Sequence, residues 1–167
     1  MPNPIYAWFK GVTQGDIKGF GSWVGEDDQV GREGSSLIQS LDHRIDIPTD
    51  PNSGMPTGKR KHGPVVLTKR IDKASPLLYN ALTKGEGLTV TIKWYRYVQG
   101  GGGGQVHYYS TLLEDSRIVW MKQWFPMTMD KTTSEFGHQE QLAITYRKIT
   151  WTWEDGGVTG TDDWQVA

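Results

Sequence analysis

The chain has 167 residues, 18 Lys plus Arg against 19 Asp plus Glu, and no cysteine. The near-neutral charge gives no electrostatic reason to expect nucleic acid or an anionic membrane as a partner. The missing cysteines exclude a disulfide framework, a thiolate metal site and a cysteine nucleophile. The length fits one domain, which at this size buries roughly 70% of the surface of its unfolded chain. Eight Trp and seven Tyr are a heavy aromatic load, favouring pleated surfaces and self-association. The start, Met1-Pro-Asn-Pro-Ile-Tyr-Ala-Trp-Phe-Lys10, has neither the basic segment nor the apolar run of a signal peptide or membrane helix, so a cytoplasmic origin is expected.

Ile5 to Lys10 alternates as a first strand. Gly11 to Gly34 is glycine-rich and acidic at Glu26-Asp27-Asp28, which predicts loop with one short strand near Phe20–Val24. Leu37, Ile38, Leu41, Ile45 and Ile47 mark a strand that should stop at Pro48. Residues 48–64 hold prolines at 48, 51, 56 and 64 and glycines at 54, 58 and 63, with Asp50-Pro51-Asn52-Ser53-Gly54 as turn chemistry. The expectation is a long projecting loop with few N–H groups for a ladder, and loops of this length are usually functional. Val65–Arg70 resumes the sheet.

The one convincing helix spans about 75–84. Ser75 is placed to cap it, Pro76 suits its first position, Leu77, Leu78, Ala81 and Leu82 share a face, and Gly85 stops it. Leu88–Val98 and Gln105–Leu113 then pair as a hairpin across Gly100–Gly104, a tip expected to be mobile. Ser116–Trp124 reads as a further strand ended by Pro126, and 127–137 as a polar connector. The last strand, about Gln139–Glu154, changes apolar parity. Leu142, Ile144 and Tyr146 are even-numbered, whereas Ile149, Trp151 and Trp153 are odd. A bulge or bend near Arg147-Lys148 would bury both sets, while burial of both faces of one strand is the alternative.

Motifs for chemistry are weak. Gly54-Met-Pro-Thr-Gly58-Lys59-Arg60 is one residue short of a phosphate-binding loop and has Arg where Ser or Thr must hold magnesium, so it reads as a solvated turn. The basic Lys59-Arg60-Lys61-His62 cluster has no stacking aromatic beside it in 48–64, which favours a solvated loop or a subunit contact over nucleic acid. His43, His62, His107 and His138 lack metal-ligand spacing. Glu26/Asp27/Asp28 and Asp162/Asp163 lie in sequence that reads as loop, where nothing apolar would raise a carboxyl pKa. No Gly-x-Ser-x-Gly elbow exists. No catalytic, cofactor-binding or metal residue is therefore assigned. Trp94, Trp120 and Trp151 alternate in predicted strands and are expected in the core. Trp124-Phe125-Pro126-Met127 could be a core lid or a subunit interface.

Ile47-Pro-Thr-Asp-Pro-Asn-Ser-Gly-Met-Pro-Thr-Gly58, Tyr79-Asn-Ala-Leu82, Lys93-Trp-Tyr-Arg96 and Tyr146-Arg-Lys-Ile-Thr-Trp151 occur in an order that resembles the haemolysin-coregulated protein (Hcp) family, the tube subunits of bacterial type VI secretion. The similarity runs from Met1 to Asp163-Trp164. It implies a mainly β fold, a compact two-sheet barrel with one short flanking helix, over residues 1–167. It further implies six-membered rings stacked into a hollow tube, with a spike protein at the tip, a contractile sheath outside and small effectors in the lumen. The subunit would have no enzymatic activity, would not insert into membranes, and would leave the bacterial cytoplasm without a signal peptide.

By the same resemblance the 48–64 loop projects toward the next ring, with Asp50, Asn52, Met55, Lys59, Arg60 and Lys61 as candidate stacking residues; Trp124, Phe125 and Met127 are candidates for an interface patch. Gly31-Arg32-Glu33-Gly34-Ser35-Ser36, the Trp124-Phe125-Pro126 patch and the glycine run depart from the family pattern. With Ala167 directly after the barrel pattern, no C-terminal toxin domain is expected. A carbohydrate-binding β-sandwich is the rival reading, requiring a row of exposed tryptophans on one sheet. A glycosidase comes third, requiring two facing carboxylates in a cleft.

Overall fold

The structure is a computed structural model describing residues 3–20, 30–100, 102 and 104–166. Its strands are β1 (Ile5–Gly11), β2 (Gly15–Ile17), β3 (Ser36–Asp42), β4 (Ile45–Asp46), β5 (Lys61–His62), β6 (Val65–Arg70), β7 (Leu88–Tyr97), β8 (Gln105–Trp124), β9 (Gln139–Thr145), β10 (Lys148–Trp153) and β11 (Val158–Asp163), with helix α1 (Ser75–Lys84) between β6 and β7. Strand neighbours run β11-β10-β8-β7-β1-β3-β6-β9, and β9 returns to β8. Six of them, β8-β7-β1-β3-β6-β9, therefore close into a barrel, which leaves no open edge in that part of the sheet.

The closing element is β8. It is one continuous strand of 20 residues, where the expectation was a strand to Leu113 and another from Ser116. Its first half pairs with β10 at 109–114, and its second half with β9 at 117–124. Asp115, at a φ of 53°, bends the strand between them without ending the ladder.

The partner chain bends opposite. The expected parity break falls at Tyr146-Arg147, where β9 ends and β10 begins, and the Arg147 N–H reaches the Glu114 carbonyl at 3.2 Å. Leu142, Ile144, Tyr146 and Ile149 are all buried, as the bend predicts; Trp151 is half-buried against the core.

Alternation fills the barrel. Ala7, Phe9, Val65, Leu67, Val90, Ile92, Leu113, Leu142 and Ile144 face inward, each at most 3% exposed. Helix α1 lays Leu78 and Ala81 on this core, and Gly85 stops it at a φ of 64°, a left-handed cap without steric cost for glycine. Its N-terminus differs from expectation. Ser75 is the first helical residue and makes no cap; the Asp72 carboxylate accepts the Ala74 N–H at 2.9 Å instead. The Ser75 oxygen is occupied elsewhere: it accepts from the Asp72 N–H at 3.0 Å and the Lys69 ammonium at 3.3 Å, while its proton goes to Glu140 at 2.7 Å.

That hydroxyl belongs to a polar cluster between β6, β9 and α1. Lys69 shares its strand face with Val65 and Leu67 and is fully buried. Its ammonium reaches Glu140 at 2.5 Å and Asp72 at 2.7 Å, and Ser36 donates to Asp72 at 2.6 Å. A buried cation is tolerable only with such pairing, because its desolvation alone costs several kcal/mol.

Other expectations need correction. Trp120 is 40% exposed, because a register shift between Ile118 and Trp120 turns both Val119 and Trp120 outward and returns Met121 to the core. Asp162 and Asp163 lie on a strand, β11, and not in a loop. The expected strand near Phe20–Val24 and the acidic run at 26–28 fall outside the described residues, apart from a buried Phe20. Two of the glycines at the β7–β8 tip also fall outside them, and the Val98 N–H to Gly104 carbonyl bond closes that hairpin at 3.0 Å.

Candidate assembly arm and its anchorage

The run expected to be one strand stopping at Pro48 breaks at His43-Arg44. The chain then leaves the barrel as a hairpin, with β4 and β5 forming a separate two-stranded sheet. Proline depletes N–H groups here, but those that remain are used in pairs. Thr49 and Pro56 form a bridge, the Thr57 N–H meets the Pro48 carbonyl at 2.8 Å, and the Asp50 N–H meets the Met55 carbonyl at 2.9 Å. The expected loop is therefore a ladder-supported arm.

Its tip is built by Asp50. The carboxylate accepts the Asn52 N–H and the Ser53 hydroxyl, both at 2.9 Å, and these bonds hold its pKa below the ordinary value. Gly54 completes the turn at a φ of 70°. Asn52, Met55 and Lys59 are exposed, as are Ile45 and Ile47 along the shaft.

The root is anchored by groups from four places in the chain. The backbone closes at Gly63, whose N–H meets the Arg44 carbonyl at 2.9 Å. A Cβ at Gly63 would come within 2.9 Å of that same oxygen, so the close approach requires glycine. The His62 side chain is 1% exposed. Its Nδ1 lies 2.7 Å from the Tyr146 hydroxyl and its Nε2 lies 2.6 Å from Asp162 Oδ2. The same hydroxyl lies 2.7 Å from His43 Nε2. Trp164 stacks on the His62 ring at 5.7 Å and donates its indole N–H to the Tyr146 carbonyl.

Arg60 meets Asp162 at 2.5 Å and also the carbonyls of Asp163 and Val166, each at 3.2 Å. The Arg60 and His62 contacts hold the Asp162 carboxyl below its ordinary range. Burial pushes the Tyr146 phenol well above its ordinary range, and the Asp162 charge adds to this.

Of the six candidate stacking residues, Asp50, Asn52 and Met55 lie together at the tip. Lys59 lies on the returning limb before β5, Lys61 is exposed on β5, and Arg60 turns back to the barrel. Phe125 and Met127 are 60% and 71% exposed, so that patch is no core lid. Trp124 is half-buried, with Lys122 over its ring, and Met129 and Phe136 extend the exposed apolar surface. Sequence reasoning missed Tyr146, Asp162, Trp164 and His43 as partners of the arm. Tyr146 and Asp162 lie 84 and 100 residues from His62, and His43 lies 103 from Tyr146, separations that carry no local signal.

Other clusters are structural in geometry. His107 Nε2 lies 2.7 Å from Ser110 Oγ, which donates to Glu154 at 2.5 Å. Serine is therefore the middle member, with its proton committed to the acid, whereas an activated serine needs histidine in the middle. The Asp72 and Glu140 carboxylates flank Lys69 with side chains 4% and 0% exposed, which leaves no cleft between them. Among the described residues no group of three or more His, Cys, Asp or Glu could hold a metal ion, and no helix is long and apolar enough to cross a membrane. Among the described residues the exposed tryptophans, Trp120, Trp153 and Trp164, lie on β8, at the end of β10 and after β11. They do not form the row that a sugar-binding face requires.

Comparison with known proteins agrees with this architecture. The family model described as "Type VI secretion system effector, Hcp" matches residues 6–153. A Major exported protein of Pseudomonas aeruginosa is 47% identical over 170 residues, covering 99% of this chain and 97% of the relative. A crystal structure of an Hcp protein superposes with a TM-score of 0.88 at 34% identity, covering 99% of this chain and 100% of that one. Secreted protein Hcp3 of Pseudomonas aeruginosa gives 0.77 at 42% identity, covering 98% and 99%. Closed barrel, flanking helix and whole-length similarity together place the chain in the Hcp family of type VI secretion system tube proteins.

Proposed function

We propose that this chain forms closed six-membered rings that stack into a hollow tube, with the 45–62 arm making the ring-to-ring contact. The observation that carries this reading is the arm itself. It is a ladder-supported hairpin held at its root and mostly exposed, with Ile45, Ile47 and Met55 facing solvent in the isolated chain. Exposed apolar side chains on a projecting, ladder-supported element fit burial against a second copy. Phe125, Met127, Met129 and Phe136 supply a second apolar surface suited to a lateral ring contact.

The role is mechanical and cargo-carrying. Small effectors occupy the lumen, a spike protein closes the tip and a contractile sheath drives the tube. The subunit has no enzymatic activity, binds no nucleic acid, and passes from the bacterial cytoplasm to the outside with the tube. The 47% identical relative, named as an exported protein, supports the last step.

Light scattering at micromolar concentration tests the ring, with an expected mass six times the 18.8 kDa subunit. A mass of one or two subunits overturns it. Removal of 50–55 tests the arm, and rings that no longer form long tubes by electron microscopy are expected.

A further inference from the structure

The arm root contains a chain of hydrogen bonds that, with both imidazoles neutral, has one consistent arrangement of protons. Asp162 is ionised and accepts only, so His62 Nε2 must donate to it. Neutral His62 then has Nδ1 as an acceptor, which the Tyr146 O–H must fill. The Tyr146 oxygen in turn accepts from His43 Nε2–H. Every group is satisfied while both imidazoles are neutral.

A proton on His62 Nδ1 changes that acceptor into a donor. The Tyr146 O–H must then turn to His43 Nε2, which accepts only as the neutral Nδ1–H tautomer; once His43 is also charged, the phenol oxygen faces two N–H donors and its hydrogen has no acceptor in the chain. A proton on His43 places positive charge beside the same phenol and opposes a second proton across it. Burial and the neighbouring His62 already hold His43 below the ordinary imidazole range, against the pull of Asp42.

We infer that His43, Tyr146, His62 and Asp162 form a proton-operated clasp, which holds the arm at neutral pH and releases it in mild acid while the barrel stays closed. In the released arm the His43 imidazole meets water and loses the burial that opposes its proton. The open form therefore binds more protons, and acid favours it. The sign follows from His43: a depressed folded pKa means stability present above about 6.5 and lost as pH falls below that value.

The surrounding charges do not cancel this. Asp162 would attract a cation at His62, but it is already matched by Arg60 at 2.5 Å. Asp163 and Asp115 are both engaged by Arg147 at 3.2 Å. Arg44 lies 3.8 Å from Asp46, Lys61 is exposed on β5, and Asp42 is exposed beside His43. The adjoining barrel wall, Val65 and Ile144, cannot titrate. The consequence for tube assembly rests on the stacking reading; the clasp does not.

The test is amide hydrogen exchange of the full chain between pH 7.5 and 5, corrected for intrinsic exchange. Protection of the Gly63 amide, which closes the arm root, should fall at least about tenfold across the imidazole range, while β6 and β7 amides keep theirs. His43→Gln can still donate to the phenol without charging, and should make that fall shallower. Tyr146→Phe should leave the arm unprotected at both pH values. Long-range nitrogen correlation should show His43 and His62 as Nε2–H tautomers at pH 7.5. Constant Gly63 protection in the wild type overturns the clasp, as does a fall that persists at full size in His43→Gln, the variant to rely on if Tyr146→Phe does not fold. A clasp that opens in acid while tube length stays unchanged would leave the clasp standing and remove the stacking role. Constant protection with acid-shortened tubes would do the reverse.

Discussion

The barrel wall and the arm adjoin one another and are held by opposite physics. Strands β6 and β9 bury Val65, Leu67, Leu142 and Ile144 at 1% exposure or less, so each large side chain contributes roughly 1.5–3 kcal/mol from burial. The arm exposes Ile45, Ile47 and Met55, and its root is held by hydrogen bonds and ion pairs to Tyr146, Asp162 and Asp163. Apolar burial is insensitive to pH and tolerates small shifts, whereas a polar root depends on protonation and fixed direction. A projecting contact element can therefore be adjusted without putting the container at risk.

The largest expected effect lies where the wall departs from its own rule. Lys69→Met strands Glu140 and Asp72 beside an apolar side chain, and should cost about 3–5 kcal/mol by chemical denaturation at pH 7. The loss should shrink in acid, where protonation removes the carboxylate charge that Lys69 no longer matches. A loss below about 1 kcal/mol would show that the cluster is not a support of the wall. Leu142→Ala, at a fully buried position, comes next at about 2–5 kcal/mol, from lost transfer energy plus a cavity.

Arm truncation should sharpen the contrast. Replacing 50–55 by a two-residue turn removes the half-buried Asp50 and five exposed residues, and keeps Arg60 and His62. The melting temperature should move by less than about 4 °C, which for a chain of this size is on the order of 1 kcal/mol. A larger drop would mean that the arm packs as a lid and belongs to the fold.

The smallest effect concerns Glu86, which ties the β1–β2 turn to the end of α1. Its carboxylate accepts the N–H groups of Thr13 and Gln14 at 2.6 and 2.7 Å, and the bonds from Gln14 are the main reason its pKa lies below the ordinary value. Such a group stabilises above its unfolded pKa, and the benefit is lost as pH falls through the lower folded value. Glu86→Gln should therefore flatten the acid limb of the stability curve, with little change in the barrel amides at pH 7.

Much of the barrel was legible because its signals are local. Alternation in Val65–Arg70 and Leu88–Tyr97 reports a two-residue period with one buried face, and Pro76 with Gly85 brackets the helix. The parity change between Tyr146 and Ile149 located the bend because a strand cannot switch faces without one.

The errors share a cause. Ser75 has the chemistry of a cap, but a buried cluster takes its hydroxyl, with Asp72 N–H and Lys69 on the oxygen and Glu140 on the proton. Trp120 has the parity of a core residue, but a one-residue register shift turns it outward. Lys69 broke the apolar parity of β6, and that was the available sign of a buried cluster.

The sequence by itself determined the element types, the apolar faces, the position of the arm and the family, because propensity, period and ordered motifs are written along the chain. Only the tertiary structure decided which half of β8 closes the barrel, that the prolines of 48–64 sit in a hairpin, and that His43, His62, Tyr146 and Asp162 meet at its root. These depend on pairing between distant segments, where each partner's position is set by packing of the whole sheet and no local pattern records it.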